Sequence, residues 1–262
     1  MTVLIKLGGS LVTDKRRARS FRREIVQEIA QQIVELRAAR PETRIVIGHG
    51  SGSFGHFEAE KHNTAEGVYS TADRLGFAKV GAVATELSHL ILGELLAAGL
   101  PAVRFQPSSM LVTRDRQLQT IIVEPLLLAL EQQLIPLVHG DIALDSVIGG
   151  AIMSTEALFA GLVKPLRARQ IILLGDVDGV FDESGAPIAR ITPESFPRIA
   201  PLLGGSGGVD VTGGMLQKVT EMIGLAHTHP GLEIVIANGK VSGILLDLLL
   251  DGAARGTRIC AQ

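Results

Sequence analysis

Cysteine is almost missing from this chain: of 262 residues, only Cys260 carries a thiol. That excludes a disulfide framework and any zinc cluster built on thiolates. Tryptophan is absent, tyrosine occurs once (Tyr69) and aromatics make up 3%, so stacking platforms for bases or sugars are scarce. Neither sign of charge dominates. The 25 Lys+Arg against 27 Asp+Glu leave a formal net charge of −2, which argues against nucleic acid held by bulk electrostatics. No uninterrupted apolar run reaches the ~18 residues of a membrane span. The start, Met-Thr-Val-Leu-Ile-Lys, lacks the basic, apolar and small-residue zones of a signal peptide. The expectation is a soluble cytoplasmic protein with no nucleic-acid and no membrane partner.

Hydrophobic residues at 46% and charged residues at 20% exclude intrinsic disorder. A chain of this length buries roughly three quarters of its unfolded surface. Short apolar runs read as strands: Val3–Leu7, Arg44–Ile47, Pro101–Phe105, Ile135–Val138, Ile171–Leu174 and Glu233–Ala237. Between them, apolar residues recur at helical spacing: Ile25, Ile29, Ile33 and Leu36 with Ser20 as N-cap, then Ala72 to Ala98 with Val83, Leu87, Leu90, Ile91 and Leu95 on one side. Glu124–Gln132, the segment from Met215 with Leu216, Val219, Ile223 and Ala226, and Val241–Leu250 complete the helices. Strands alternating with helices predict an α/β fold with a mostly parallel sheet covered on both faces. No linker rich in Pro or Ser interrupts the chain, which favours one domain over residues 1–262.

What the chain has in plenty is glycine, 30 residues, clustered where strands end. Gly8-Gly9-Ser10 follows the first strand, at the carboxyl edge where open α/β sheets bind ligands. Taken alone it reads equally as an ordinary tight turn. It is neither the Walker pattern nor the dinucleotide fingerprint. Lys6, inside the strand, and Lys15, just past the turn, flank it. A lysine in an apolar strand is costly unless it meets an anion or reaches water. Gly50-Ser51-Gly52-Ser53-Phe54-Gly55-His56 sets amides and hydroxyls at a helix N-terminus, and in that context His56 reads as a phosphate donor rather than a surface histidine. His49 reads as packed or hydrogen-bonded. Asp176 and Asp178 lie after a strand in Asp-Val-Asp-Gly, either as an Asp-Gly hairpin or as carboxylates beside a nucleotide and its Mg2+. A glycine-rich loop, Gly204 to Gly208, precedes Asp210-Val211-Thr212-Gly213-Gly214-Met215, with Lys218 one turn into the next helix. Neither a Ser-His-Asp order nor paired-histidine metal spacing is evident. Separated lysines and glycine turns suit a polyphosphate and phosphoryl transfer, which needs positioning and charge neutralisation.

Together these segments resemble the amino acid kinase superfamily, and within it the isopentenyl phosphate kinase branch. The likeness runs through Lys6-Leu-Gly-Gly-Ser10, Thr13-Asp-Lys15, Gly50 to His56, Gln106-Pro-Ser-Ser109, His139-Gly-Asp141, Asp176-Val-Asp-Gly179, Asp210 to Met215 with Lys218, and Gly256-Thr257. Ser-Phe-Gly-His56 and Gln-Pro-Ser-Ser are the elements that point to the branch. The resemblance implies a three-layer α/β/α sandwich, with an acceptor lobe over about residues 1–165 and a nucleotide lobe over about 166–262. It implies the reaction isopentenyl phosphate + ATP → isopentenyl diphosphate + ADP with Mg2+, in a homodimer. Lys6, Lys15 and His56 would be catalytic, and Gly50, Gly55, His56 and Thr155 would bind the monophosphate. Lys6, Gly8, Gly9, Ser10, Ser51, Asp176, Gly214 and Lys218 would bind ATP, with no residue holding a metal directly. Phe77, Val80 and Val83 on the long helix would receive the prenyl tail.

The chain departs from the family at one place: Ser154-Thr155-Glu156 stands where Ser-Gly-Asp is usual. Either the register is displaced there or the site is reshaped. Two other readings stay open on these residues: a sister kinase of another small phosphate or phosphonate such as fosfomycin, and a non-catalytic nucleotide- or anion-binding protein on the same fold.

Overall fold

The computed structural model describes residues 1–64, 66–204, 214–252 and 255–262. In chain order these form β1 (Thr2–Leu7), α1 (Gly9–Val12), α2 (Arg23–Ala39), β2 (Arg44–His49), α3 (Gly52–Lys61), α4 (Thr71–Ala97) and β3 (Ala102–Arg104). Then come β4 (Leu111–Arg114), β5 (Gln117–Ile121), α5 (Glu124–Glu131), β6 (Ile135–His139), β7 (Asp141–Asp145), β8 (Gly149–Met153) and α6 (Thr155–Leu166). The rest is β9 (Ala168–Gly175), β10 (Arg190–Ile191), α7 (Phe196–Gly204), α8 (Gly214–Thr228), β11 (Glu233–Asn238), α9 (Ile244–Leu249) and β12 (Thr257–Ile259).

Eight strands form one sheet in the order β10-β12-β11-β9-β1-β2-β6-β3, parallel throughout except where β12 meets β11. Strand β1 sits near its centre, so both of its faces are buried, as an unbroken Val-Leu-Ile run requires. Alternation along the strand sorts its side chains into two cores. Val3, Ile5 and Leu7 pack with α2, α4 and α9, whereas Leu4 joins α5, α6 and α8 on the opposite face. Helices therefore cover both faces, giving the three-layer α/β/α arrangement. Lys6 shares the Leu4 side, and this parity aims it at α6 and α8.

A second sheet, β5-β4-β7-β8, was not legible in the sequence. Its strands are four or five residues long, and the β4–β5 hairpin turns on the charged pair Asp115-Arg116. Helix α6 was missed as well: it carries Gly161 and Pro165, both poor residues for a helix interior. Its buried Thr155, Leu158, Phe159, Leu162, Val163 and Leu166 nonetheless line one face. Ser20 is not the N-cap of α2: the helix starts at Arg23, and the Ser20 hydroxyl accepts from the Asp14 N–H (2.8 Å), closing the preceding loop. By length and composition α4 is long and apolar enough to cross a membrane. It starts on a Ser70/Asp73 capping box, buries Val83, Leu87, Ile91 and Leu95 against the sheet, and carries Glu94 bonded to Arg23 and Gln27 of α2. The expected glycine-rich segment is only partly seen: Gly204 ends α7 and Gly214 opens α8, while Asp210-Val211-Thr212-Gly213 lies outside the described residues.

Phe159 of α6 is fully buried under the main sheet, against the spot where Gly48 of β2 lacks a side chain. Phe159→Ala is expected to lower unfolding stability by about 3–5 kcal/mol, read from the urea midpoint at constant m-value.

Candidate active site

Strands β2, β1 and β9 run parallel side by side, so their carboxyl ends open on one edge of the sheet. A cavity of about 760 Å3 lies there. The N-termini of α3, α6 and α8 all reach its wall, through Ser51 and Gly52, through Ser154, Thr155 and Glu156, and through Gly214 and Met215. Each such terminus brings the positive end of a helix dipole to the wall. Three of them around one space make an anion site.

The lysines complete it. Lys6, Lys15 and Lys218, from β1, the loop after α1 and α8, all line the cavity. The Lys6 ammonium forms an ion pair with Glu156, the two side chains being only 11% and 10% exposed. Burial, the largest single influence, would raise the Glu156 carboxyl, but the Lys6 ammonium, aided by Lys218 and a backbone amide, holds it below the usual carboxylate range. Lys218 is shifted down, first by burial and then by the ammonium groups of Lys6 and Lys15, against the opposing pull of Glu156 and Asp176. Asp182, also on the wall, spends its carboxylate on the Ser184 and Ala186 amides of its own turn.

The glycine loops touch each other. A Cβ on Gly9 would lie 2.7 Å from the Gly52 Cα, and one on Gly8 would lie 2.7 Å from the Leu174 carbonyl oxygen. Only glycine lets β1's loop wedge between β2's loop and β9. Ser10 donates to Asp176 (3.0 Å), which joins the turn after β1 to the end of β9. Contrary to the turn read from Gly8-Gly9-Ser10, Gly9 opens a short helical turn, α1. His56 lines the cavity, and its Nδ1 donates to the Gly52 carbonyl (2.7 Å), which leaves Nε2 for a ligand.

Of the residues singled out by sequence, Lys6, Gly8, Gly9, Ser10, Lys15, Gly50, Ser51, His56, Thr155, Asp176, Gly214 and Lys218 converge on this wall. Gly55 does not. It is buried inside α3, where a Cβ would run into the Ser51 side chain, so it supports Ser51 from behind. Thr155 uses its hydroxyl on the His49 carbonyl (2.7 Å), which leaves its backbone to face the cavity. Phe77, Val80 and Val83 are buried and off this wall, whose apolar patch near Thr155 comes instead from Ile152 and Met153. Asp178 accepts from Asn238 Nδ2 (2.8 Å), and Asp178-Gly179 is not a hairpin apex. That turn closes later, where the Asp182 amide donates to the Ala186 carbonyl (2.9 Å), while Gly179 sits at φ +153°, where Thr257 leaves no room for a Cβ.

The family resemblance implies that an acid at the place of Glu156 organises the catalytic lysines, though Glu156 itself is not among the residues assigned to the site. The signal was present: Ser154 is an N-cap accepting from the Ala157 N–H (3.0 Å), followed by an acid in the first turn. In the fold Glu156 reaches Lys6. His49 is packed, as expected, and lies against His139 of β6 with ring centroids 5.2 Å apart.

The sequence model of the amino acid kinase family, matched against this chain, spans residues 1–238. The chain belongs to the amino acid kinase family. Among relatives of this family member, the isopentenyl phosphate kinase of Methanocaldococcus jannaschii is 31% identical, over 99% of this chain and 98% of that protein. The isopentenyl phosphate kinase of Methanothermobacter thermautotrophicus is also 31% identical, over 99% of both. A crystal structure of an isopentenyl phosphate kinase superposes with a TM-score of 0.82 at 28% identity, covering 99% of this chain and 100% of that one. The α/β/α architecture of the amino acid kinases is thus shared over the full length.

The histidine pair sets an acid limit on this family member. Burial, then the neighbouring His139, pushes His49 down to about 3, and burial likewise lowers His139. In the unfolded chain both take a proton near about 6.5. The folded state disfavours that proton, so their stabilisation is complete above that pH and is lost as acid is added, by about 1.4 kcal/mol per pH unit at His49 and in the same direction at His139. Urea midpoints measured from pH 7.5 to pH 5 should fall below pH 6.5; a flat profile there contradicts two neutral buried imidazoles.

Proposed function

We propose that this chain transfers the γ-phosphoryl group of ATP to isopentenyl phosphate, giving isopentenyl diphosphate and ADP. It is a phosphotransferase of the amino acid kinase family. The observation that carries the reading is the convergence of Lys6, Lys15, Lys218 and His56 with three helix N-termini on one cavity. Phosphoryl transfer asks for that kind of site: in-line placement of two phosphates and neutralisation of the charge spread over the moving group.

The acceptor is a phosphate monoester, already mostly dianionic at neutral pH because its second pKa is about 6. Its oxygen needs no general base. This agrees with a wall on which Glu156 is tied to Lys6 and Asp182 to its own turn. In this reading the Thr155 backbone and His56 Nε2 hold the acceptor phosphate beside Gly50, whose own amide is spent on the Leu7 carbonyl, with Ile152 and Met153 beside its tail. Lys6, fixed by Glu156, and Lys15 neutralise the phosphoryl group in flight. Gly8, Gly9, Ser10, Ser51, Gly214 and Lys218 take the nucleotide phosphates. Among the described residues no three His, Cys, Asp or Glu side chains gather into a metal site. The donors fit Mg2+ carried in on the nucleotide, with Asp176 as the carboxylate toward it, since Mg2+ keeps several waters and binds through one or two carboxylates plus substrate phosphates. When bound it neutralises phosphate charge. A cytoplasmic homodimer goes with this reading, and native mass measurement reads the subunit number.

Coupled ADP release with Mg-ATP, run against isopentenyl phosphate, dimethylallyl phosphate, fosfomycin and buffer, tests the assignment. Turnover confined to the prenyl monophosphates is expected, and His56→Ala should lower it about 10²-fold while ATP binding survives. Turnover with fosfomycin alone moves the chain to a sister activity. Silence on every acceptor with ATP still bound makes it a binding protein.

A further inference from the structure

His49 ends β2, is fully buried, and does not reach the cavity wall. Its ring is nonetheless bonded to the loop that does. Nδ1 lies 3.0 Å from the Gly50 carbonyl oxygen. A carbonyl only accepts, so Nδ1 carries the proton and Nε2 is the bare nitrogen. Nε2 is buried without a hydrogen-bond partner. That is a poor bargain for a residue that merely fills space, because a leucine would fill it without stranding a polar atom.

The remaining bonds of this turn fix the His49–Gly50 segment from all sides. The His49 carbonyl accepts from Thr155 Oγ1 (2.7 Å) and from the Gly140 amide (2.9 Å), and the Gly50 amide donates to the Leu7 carbonyl (3.0 Å). Among the described residues no peptide bond is cis. In a trans peptide the C=O and the following N–H point in opposite directions. With the Gly50 oxygen drawn toward the buried ring, the Ser51 N–H is turned the other way, toward the cavity that Gly50 and Ser51 line. Among the described residues that amide has no hydrogen-bond partner.

We propose that His49 is a positioning residue for phosphoryl transfer: its Nδ1–H holds the Gly50 carbonyl out of the cavity and so aims the Ser51 amide at the phosphate groups bound there. Without the ring donor the Gly50–Ser51 peptide is free to flip, and a flip replaces a donor with an acceptor facing an anion. Gly50 lies against Gly9, so the affected amide stands between the two glycine loops. His139 repeats the arrangement one strand over, its Nδ1 3.1 Å from the Gly140 carbonyl, and the two rings brace each other.

This inference rests on the kinase reading for its kinetic consequence, and its test separates the two. His49→Leu removes the donor and keeps the bulk; His49→Asn restores an N–H near the place of Nδ1. We expect kcat/KM for isopentenyl phosphate to fall about tenfold in the Leu variant and to return to within about threefold in the Asn variant. Affinity for inorganic phosphate, titrated directly, should follow the same order. Nitrogen-15 NMR of the wild-type protein should show His49 protonated at Nδ1 and bare at Nε2. A folded Leu variant with wild-type kinetics and phosphate affinity, an Asn variant no better than Leu, or an Nε2–H tautomer would each overturn the proposal. If the Leu variant does not fold, the Asn variant and the tautomer still decide. If the wild-type protein turns over no acceptor, the kinase reading fails, while phosphate affinity and the tautomer still judge His49.

Discussion

The site depends on where a single charge is allowed to sit. Lys6 is the last even-numbered residue of a strand buried on both faces, a place where an unpaired ammonium is intolerable. The fold answers by starting α6 directly above it, so that Glu156 in the first turn supplies the opposite charge and the dipole of the same helix favours that carboxylate. A buried pair of this kind is weak evidence for stability. Its use is geometric: it fixes the ammonium at the floor of the cavity instead of letting a flexible side chain wander into solvent. The parity of β1, the start of α6 and the approach of Lys218 from α8 then follow as one arrangement.

The glycine loops obey a second constraint, the close approach of backbones. Gly9 and Gly52 occupy space that no side chain can share, and this contact locks the turn after β1 to the turn after β2. Ser10 and Asp176 tie the same turn to β9. The backbone at the ends of three strands is thereby held in one frame by glycine contacts and short polar links rather than by bulk.

Most of this was legible in the residues because the signals were local. Apolar runs marked the strands of the large sheet, clustered glycine marked their carboxyl ends, and lysines in unusual places marked the anion site. The small sheet escaped because its hairpins are short and charged, and its pairing of β4 with β7 joins residues some thirty positions apart. Glu156 was read as a deviation since its partner, Lys6, is 150 residues away in the chain. Gly55 was assigned by motif, and Phe77, Val80 and Val83 by the tail pocket that the resemblance implies; none of the four lines the cavity. Helical phase placed them in the core, where Gly55 makes room for Ser51 and Phe77 fills the gap beside Gly150.

The crowding of cations around the cavity also bears on how the protein rests between turnovers. Lys218 is disfavoured as an ammonium partly by Lys6 and Lys15, so with nothing bound the charges strain against one another and against three helix dipoles. Any polyanion that enters relieves that strain, and by linkage it stabilises the whole fold, not only the site. The empty form is therefore the fragile one. On the proposed reading, phosphate or sulfate that enters the cavity stabilises the fold as a ligand does.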